Sequence, residues 1–251
     1  MTVVFIHGVP DTSALWKPVI GALGLKKSDY FAPNLPGFGS SWPEHFIPTK
    51  DGYADWLLKQ IEDVVAKAGR PADIVGHDWG AIFTLRIASL RPDLVRSWTV
   101  IDAVLHPSYD WHKTAKRWQT PILGELLMAV STPRALKKAL RNAGVPEDTA
   151  ETEMKHWNGL MKRSILSLYR SARTVSDEWV VGLQNLPKNG LVIFGEDDPF
   201  VGADIARAFA EDQGVPVHIE GGKGHWILLE DPQLVARLLS ERIAEKDSLP
   251  P

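Results

Sequence analysis

The sequence predicts an α/β protein, a mostly parallel sheet of about six strands covered by helices and interrupted once by a helical insertion. Three observations predict it. Short apolar runs of strand length alternate with longer helical patterns, as in a parallel sheet whose crossovers are helices. The alternation breaks once, over residues 103–186, where the pattern is helical throughout. Glycine-bounded motifs carrying Asp or His recur at the ends of the apolar runs.

The strand candidates are residues 3–7, 30–33, 72–76, 97–102, 191–195 and 215–220. Helical patterns lie between them, for example over 53–68 and 80–89, and another closes the chain over 232–245, leaving a tail expected to fray over 246–251. Turn signals break the insertion at Thr132-Pro133, Gly144-Val145-Pro146 and Asn158-Gly159. Placed between two strands, the insertion would roof the strand C-termini, where open α/β sheets bind ligands.

A length of 251 residues suits one large domain with an insertion. Hydrophobic residues make up 44% and the net charge is −3, so charge points to neither nucleic acid nor a membrane surface as partner. The chain has no cysteine, which removes thiolate nucleophiles, disulfides and zinc–thiolate sites and suits a reducing compartment. The first residues lack the basic flank of a signal peptide and no apolar stretch approaches a membrane span, so a cytoplasmic protein is expected. The histidines show no metal-ligand spacing and no phosphate-binding glycine loop precedes a helix; neither a metal nor an organic cofactor is expected.

The most informative motif is Gly76-His77-Asp78-Trp79-Gly80, between the apolar run 72–75 and the helical pattern 81–88. A strand, a tight turn and a helix with glycines on both sides of a central residue is the nucleophile-elbow pattern, which exposes that side chain above a helix N-terminus. A serine there would suit acyl transfer. An aspartate instead displaces a leaving group from saturated carbon, and water then splits the resulting alkyl ester. The substrates expected are compounds with strained or polarised C–O or C–halogen bonds.

Further motifs follow in order at strand ends: His7-Gly8-Val9-Pro10-Asp11, Gly195-Glu196-Asp197-Asp198-Pro199 and Gly224-His225-Trp226. With the glycine-rich turn over 33–41, they make the chain resemble the α/β-hydrolase fold, in its epoxide hydrolase and haloalkane dehalogenase branch with an aspartate nucleophile. The resemblance implies a core domain of residues 1–102 and 187–251, a helical cap over 103–186, and a sheet without the antiparallel N-terminal hairpin common in the family. It also implies Asp78 as nucleophile, His225 as the base that activates water, and the backbone N–H groups of Val9 and Trp79 as the oxyanion hole. Two aspartates could orient His225: Asp198, at the usual place in Gly-x-x-Asp, which is the preferred reading, and Asp102, at the strand end from which some dehalogenases supply their acid. His7 and Pro10 would shape the first loop beside the substrate, and His77 is expected to pack.

Both reactions of that branch use an aspartyl ester and differ in what receives the leaving group. An epoxide oxygen needs an acid. Tyr169, in Ser167-Leu168-Tyr169-Arg170, resembles the Tyr-Arg element that carries a ring-opening tyrosine in epoxide hydrolases. Tyr109 is the other cap tyrosine, with His112, Trp118 and Gln119 as alternative donors. A halide needs weak N–H donors, for which Trp79, Trp118, Trp157 and Trp179 are candidates, but Val9 stands where one dehalogenase group has Asn. The reading is therefore an epoxide hydrolase acting on a small hydrophobic epoxide to give a vicinal diol. The alternatives are a haloalkane or haloacid dehalogenase acting on an organohalide with the same triad, and a non-catalytic ligand-binding relative. A monomer or a homodimer is expected.

Overall fold

The computed structural model describes residues 2–247. In chain order the elements are β1 (Val3–Ile6), α1 (Lys17–Ala22), β2 (Tyr30–Phe31), α2 (Lys50–Ala68), β3 (Ala72–His77), α3 (Trp79–Leu90) and β4 (Val95–Ile101). Six helices follow: α4 (Lys113–Gln119), α5 (Leu123–Val130), α6 (Pro133–Asn142), α7 (Glu147–Met154), α8 (Gly159–Ser171) and α9 (Val175–Val180). The chain then returns to the sheet with β5 (Gly190–Gly195), α10 (Ala203–Gln213), β6 (Val217–Glu220), α11 (Ile227–Glu230) and α12 (Pro232–Asp247).

The strands form one parallel sheet in the order β2-β1-β3-β4-β5-β6. β1, β3 and β5 are buried at every residue, as expected of strands covered on both faces. The chain leaves β1 toward one edge, through β2, and returns on its other side at β3, so strand order reverses between β1 and β3. The loops after those two strands therefore splay apart at a topological switch point, where α/β sheets bind ligands. Those loops carry Val9 and Asp78.

The helices form where their sequences ask for them. Thr49 caps α2 by accepting from the Gly52 N–H, Gly69 ends it at φ 67°, and Tyr53, Leu57 and Ile61 bury one stripe at four-residue spacing. α3 is apolar nearly all round and is buried nearly all round, behind the sheet motif it follows.

Boundaries differ from expectation where proline intervenes. β2 stops at Phe31, two residues short of Pro33, which has no N–H to give to a ladder. β6 begins at Val217; Pro216 before it only accepts, from the Val192 N–H at 3.0 Å. The insertion breaks at the three expected places, and also near 120–122 and 172–174, and its first residues, 103–112, form no helix although a helical pattern is expected throughout. Residues 246 and 247 belong to α12, and the tail expected over 248–251 lies outside the described residues. No helix among the described residues is long and apolar enough to cross a membrane.

Candidate active site

β3 delivers Asp78 to the sharp turn before α3 with φ 50° and ψ −124°, a conformation that costs a non-glycine residue energy and must be held by its surroundings. Glycine makes that turn possible. A Cβ on Gly80 would sit 2.0 Å from the Ile6 carbonyl oxygen, and one on Gly8 would sit 2.3 Å from Asp78 Oδ2. The loop after β1 therefore closes directly onto the Asp78 carboxylate, and the Val9 N–H donates to Oδ2 at 2.7 Å.

His225 follows β6 and turns its ring between two carboxylates. Its Nδ1 lies 2.7 Å from Asp198 Oδ2, and its Nε2 lies 3.7 Å from Asp78 Oδ1. Asp198 is itself fixed, since its Oδ1 accepts from the N–H groups of Phe200 and Val201 at 2.7 and 3.1 Å. Asp198 is thus the carboxylate that the structure pairs with His225.

Asp102, the other candidate, is fully buried at the end of β4 with φ 53° and accepts from the Gly195 N–H at 2.8 Å. It ties β4 to β5 and does not bond to the His225 ring. His77 Nε2 donates to the His225 carbonyl oxygen at 2.7 Å, so the residue before Asp78 anchors the loop that carries His225. His7 holds the loop after β1. It is fully buried, lies outside the cavity wall, and bonds backbone on both ring nitrogens, to the Gly8 carbonyl at 2.8 Å and from the Leu35 N–H at 2.9 Å. A buried imidazole satisfied by backbone on both sides is a loop staple and not a substrate contact.

A cavity of about 250 Å³ opens over Asp78 and His225. Val9, Pro10, Trp79, Tyr109, Trp118 and Tyr169 line it, as do residues of α6 such as Leu136 and Leu140. The insertion and the sheet loops thus share one pocket. Around the Tyr169 ring stand Trp118 at 5.0 Å and Trp79 and Trp111 at 5.5 Å between centroids, and Trp111 stacks on Trp79 at 5.9 Å. Edge-to-face packing of this kind fixes ring orientation. Trp111, His112 and Phe200 also line the cavity. Trp111 was not anticipated; its signal was the aromatic density of Tyr109-Asp110-Trp111-His112. Trp157 and Trp179 are buried and do not line the cavity. Gln119 is buried and does not line it either.

The electrostatics follow from burial. It raises the Asp78 carboxyl above its ordinary range, opposed by the His225 charge and by the Val9 and Trp79 N–H groups. Burial works against a charged His225, but the carboxylates of Asp198, Asp78 and Asp102 outweigh it and push the ring up to about 10. Burial, reinforced by the nearby Asp78 charge, keeps the Tyr169 and Tyr109 phenols protonated well above neutrality. His112 is held neutral, lowered to about 4 by burial and by the His225 charge. Its Nδ1 accepts from the Ala115 N–H at 3.3 Å as the cap of α4, so its Nε2 carries the proton. Among the described residues, no group of three or more His, Asp or Glu is arranged to hold a metal ion.

A parallel sheet with a histidine, a carboxylate and a strained elbow at its switch point defines an α/β-type hydrolase. A model of the alpha/beta hydrolase family matches residues 3–238, and the chain belongs to that family. It is 26% identical over 261 residues to a haloalkane dehalogenase of Mycolicibacterium paratuberculosis, covering 95% of this chain and 82% of that protein. It is 22% identical over 263 residues to epoxide hydrolase 3 of Xenopus tropicalis, covering 96% of this chain and 71% of that protein. The solved structure of 2-hydroxy-6-oxo-6-phenylhexa-2,4-dienoate hydrolase from Rhodococcus sp. strain RHA1 superposes with a TM-score of 0.78 at 20% identity, covering 97% of this chain and 90% of that one. That likeness concerns the fold.

Proposed function

We propose that this hydrolase opens epoxides to vicinal diols through an ester on Asp78. The observation that carries the reading is Tyr169, a phenol kept protonated at the cavity wall within electrostatic reach of the Asp78 carboxylate. An epoxide oxygen leaves as an alkoxide and needs such a donor, whereas a halide does not.

In the first step Asp78 Oδ1 attacks an epoxide carbon while Oδ2 stays on the Val9 N–H. The C–O bond breaks and the oxygen takes the Tyr169 proton. Tyr109, whose phenol also senses the Asp78 charge, supports the same oxygen. In the second step His225 Nε2 takes a proton from water, and the hydroxide adds to the Asp78 carbonyl carbon. The N–H groups of Val9 and Trp79 stabilise the oxyanion. Collapse expels the diol oxygen, which takes its proton from His225, and leaves Asp78 as a carboxylic acid whose proton returns to Tyr169. Asp198 holds the imidazole in the tautomer with Nε2 free and stabilises its charged form.

Losing the Asp78 charge on esterification also removes one of the carboxylates that hold His225 protonated. The ring then becomes a better base in the intermediate, where a base is needed.

A second reading, hydrolytic dehalogenation by the same groups, is favoured by the two stacked indoles Trp79 and Trp111 in the cavity and by the dehalogenase relative. The pocket's apolar, aromatic lining supports a small hydrophobic substrate under either reading. Turnover of styrene oxide and of 1-bromobutane by the wild-type protein separates them. Diol without bromide release supports the epoxide hydrolase; bromide without diol overturns it.

A further inference from the structure

The helical insertion carries an exposed apolar stripe, preceded and followed in the chain by exposed cations. α5 turns Gly124 and Met128 inward, where a Cβ on Gly124 would meet Leu166 of α8 at 2.9 Å. Outward, Ile122 at its N-cap and Leu126 and Val130 on the helix follow at four-residue steps, 74%, 59% and 74% exposed, with Leu123 beside them. Four of the seven large exposed hydrophobics among the described residues therefore fall within this one short segment. Ile122 moreover sits at φ 69°, a region that β-branched side chains rarely adopt. Neither packing nor backbone preference explains an isoleucine there.

Charge is distributed as unevenly. Residues 113–142 hold seven Lys and Arg against one acid, Glu125, in a chain whose net charge is −3. Lys116, Lys137 and Arg141 are paired with carboxylates. Lys113 and Arg117 on α4, and Arg134 and Lys138 on α6, are exposed, have no carboxylate partner among the described residues, and form two four-residue pairs just before and just after the stripe. The small total charge conceals this cluster.

We propose that this face docks on the surface of an anionic lipid bilayer. Apolar side chains on a short helix, flanked by Lys and Arg, suit the headgroup–acyl boundary, the former entering it and the latter meeting lipid phosphates. A second copy of the chain fits this face poorly. A two-fold contact through it would bring the same cations toward each other, and three or four side chains are too little area for a stable dimer. The inner faces of α4 and α6 line the cavity through Trp118, Leu136 and Leu140, so docking would set the cavity wall against the phase in which an apolar substrate dissolves.

Co-sedimentation of the full chain with vesicles tests the proposal, using phosphatidylcholine alone and phosphatidylcholine mixed with phosphatidylglycerol. We expect at least about tenfold more protein on the anionic vesicles at low salt, and a loss of that preference at high salt. Two surface variants, Ile122→Ser with Leu126→Ser and Val130→Ser, and Arg117→Gln with Arg134→Gln and Lys138→Gln, should each abolish binding while leaving the melting temperature unchanged. Equal binding to both vesicles, no binding to either, or full binding by a folded serine variant would overturn the proposal. So would a dimer in solution that the serine variant dissociates.

Discussion

The Val9 N–H donates to Asp78 Oδ2 at 2.7 Å and so divides the work of one carboxylate between its two oxygens. Oδ2 is already held by a donor suited to an oxyanion, and Oδ1 is left toward the cavity, 3.7 Å from His225 Nε2. Under the proposed function, attack and ester hydrolysis would use one preorganised arrangement, with little to move between the two steps.

Tyr169→Phe removes the phenolic proton while keeping the ring that packs on Trp79, Trp111 and Trp118. Epoxide opening should slow by roughly 10² or more, the usual contribution of general acid catalysis, with a smaller effect on any halide substrate. Pre-steady-state kinetics of ester formation measures it. An equal loss on both substrate types would mean that the residue only shapes the pocket.

Asp198→Asn should slow ester hydrolysis by about 10³–10⁴ and let the alkyl-enzyme accumulate, because the amide favours the wrong histidine tautomer. Asp102→Asn should be milder in turnover, since Asp102 bonds the Gly195 N–H and not the His225 ring. Single-turnover assays on the two variants compare them directly; the reverse order would return the orienting role to Asp102.

His225 is pushed up to about 10 by three carboxylates acting against burial. Ester hydrolysis needs the neutral ring, so its rate should rise with pH. Because esterification removes the Asp78 charge, the midpoint of that rise should lie below the His225 titration observed by NMR in the free protein. Coincident midpoints would contradict the electrostatic coupling.

Glu153 on α7 is fully buried; its Oε1 accepts from the Thr12 hydroxyl at 3.0 Å, and its Oε2 has no partner. Burial, with Asp11 adding to it, raises the carboxyl from 4.5 to about 8. The folded state binds the proton more tightly than the unfolded chain, so this contribution to stability is full below about pH 4.5 and is lost as pH rises through about 8. Glu153→Gln keeps an acceptor for Thr12 and has no charge to bury. It should raise the melting temperature at pH 9 relative to pH 5, by roughly 2–4 °C per kcal/mol gained. A profile parallel to the wild type would contradict the assignment.

Much of the fold was legible because the sheet's strands are short, apolar and separated by helical patterns, and because the Gly76–Gly80 elbow needs glycines that a helix cap would not. The choice between Asp198 and Asp102 was legible only in part, through the Gly-x-x-Asp position that favours Asp198. Both follow apolar strands and both end near His225, and the direction of the His225 ring distinguishes them. The cap was the least readable part. Its aromatic residues recur with no period that tells cavity wall from core, so Trp111 and Trp179 look alike in sequence, although one lines the pocket and the other is buried outside it. The buried pair of Asp11 and Glu153 joins residues far apart in the chain, and no local pattern announces it.

Intact-protein mass spectrometry of His225→Gln would capture the ester itself, because the variant can form it on Asp78 and cannot activate water against it. After incubation with styrene oxide, epoxide opening by Asp78 predicts an added mass equal to the whole epoxide, located on that residue. A butyl adduct from 1-bromobutane with none from styrene oxide, or the epoxide adduct on a residue other than Asp78, would contradict it.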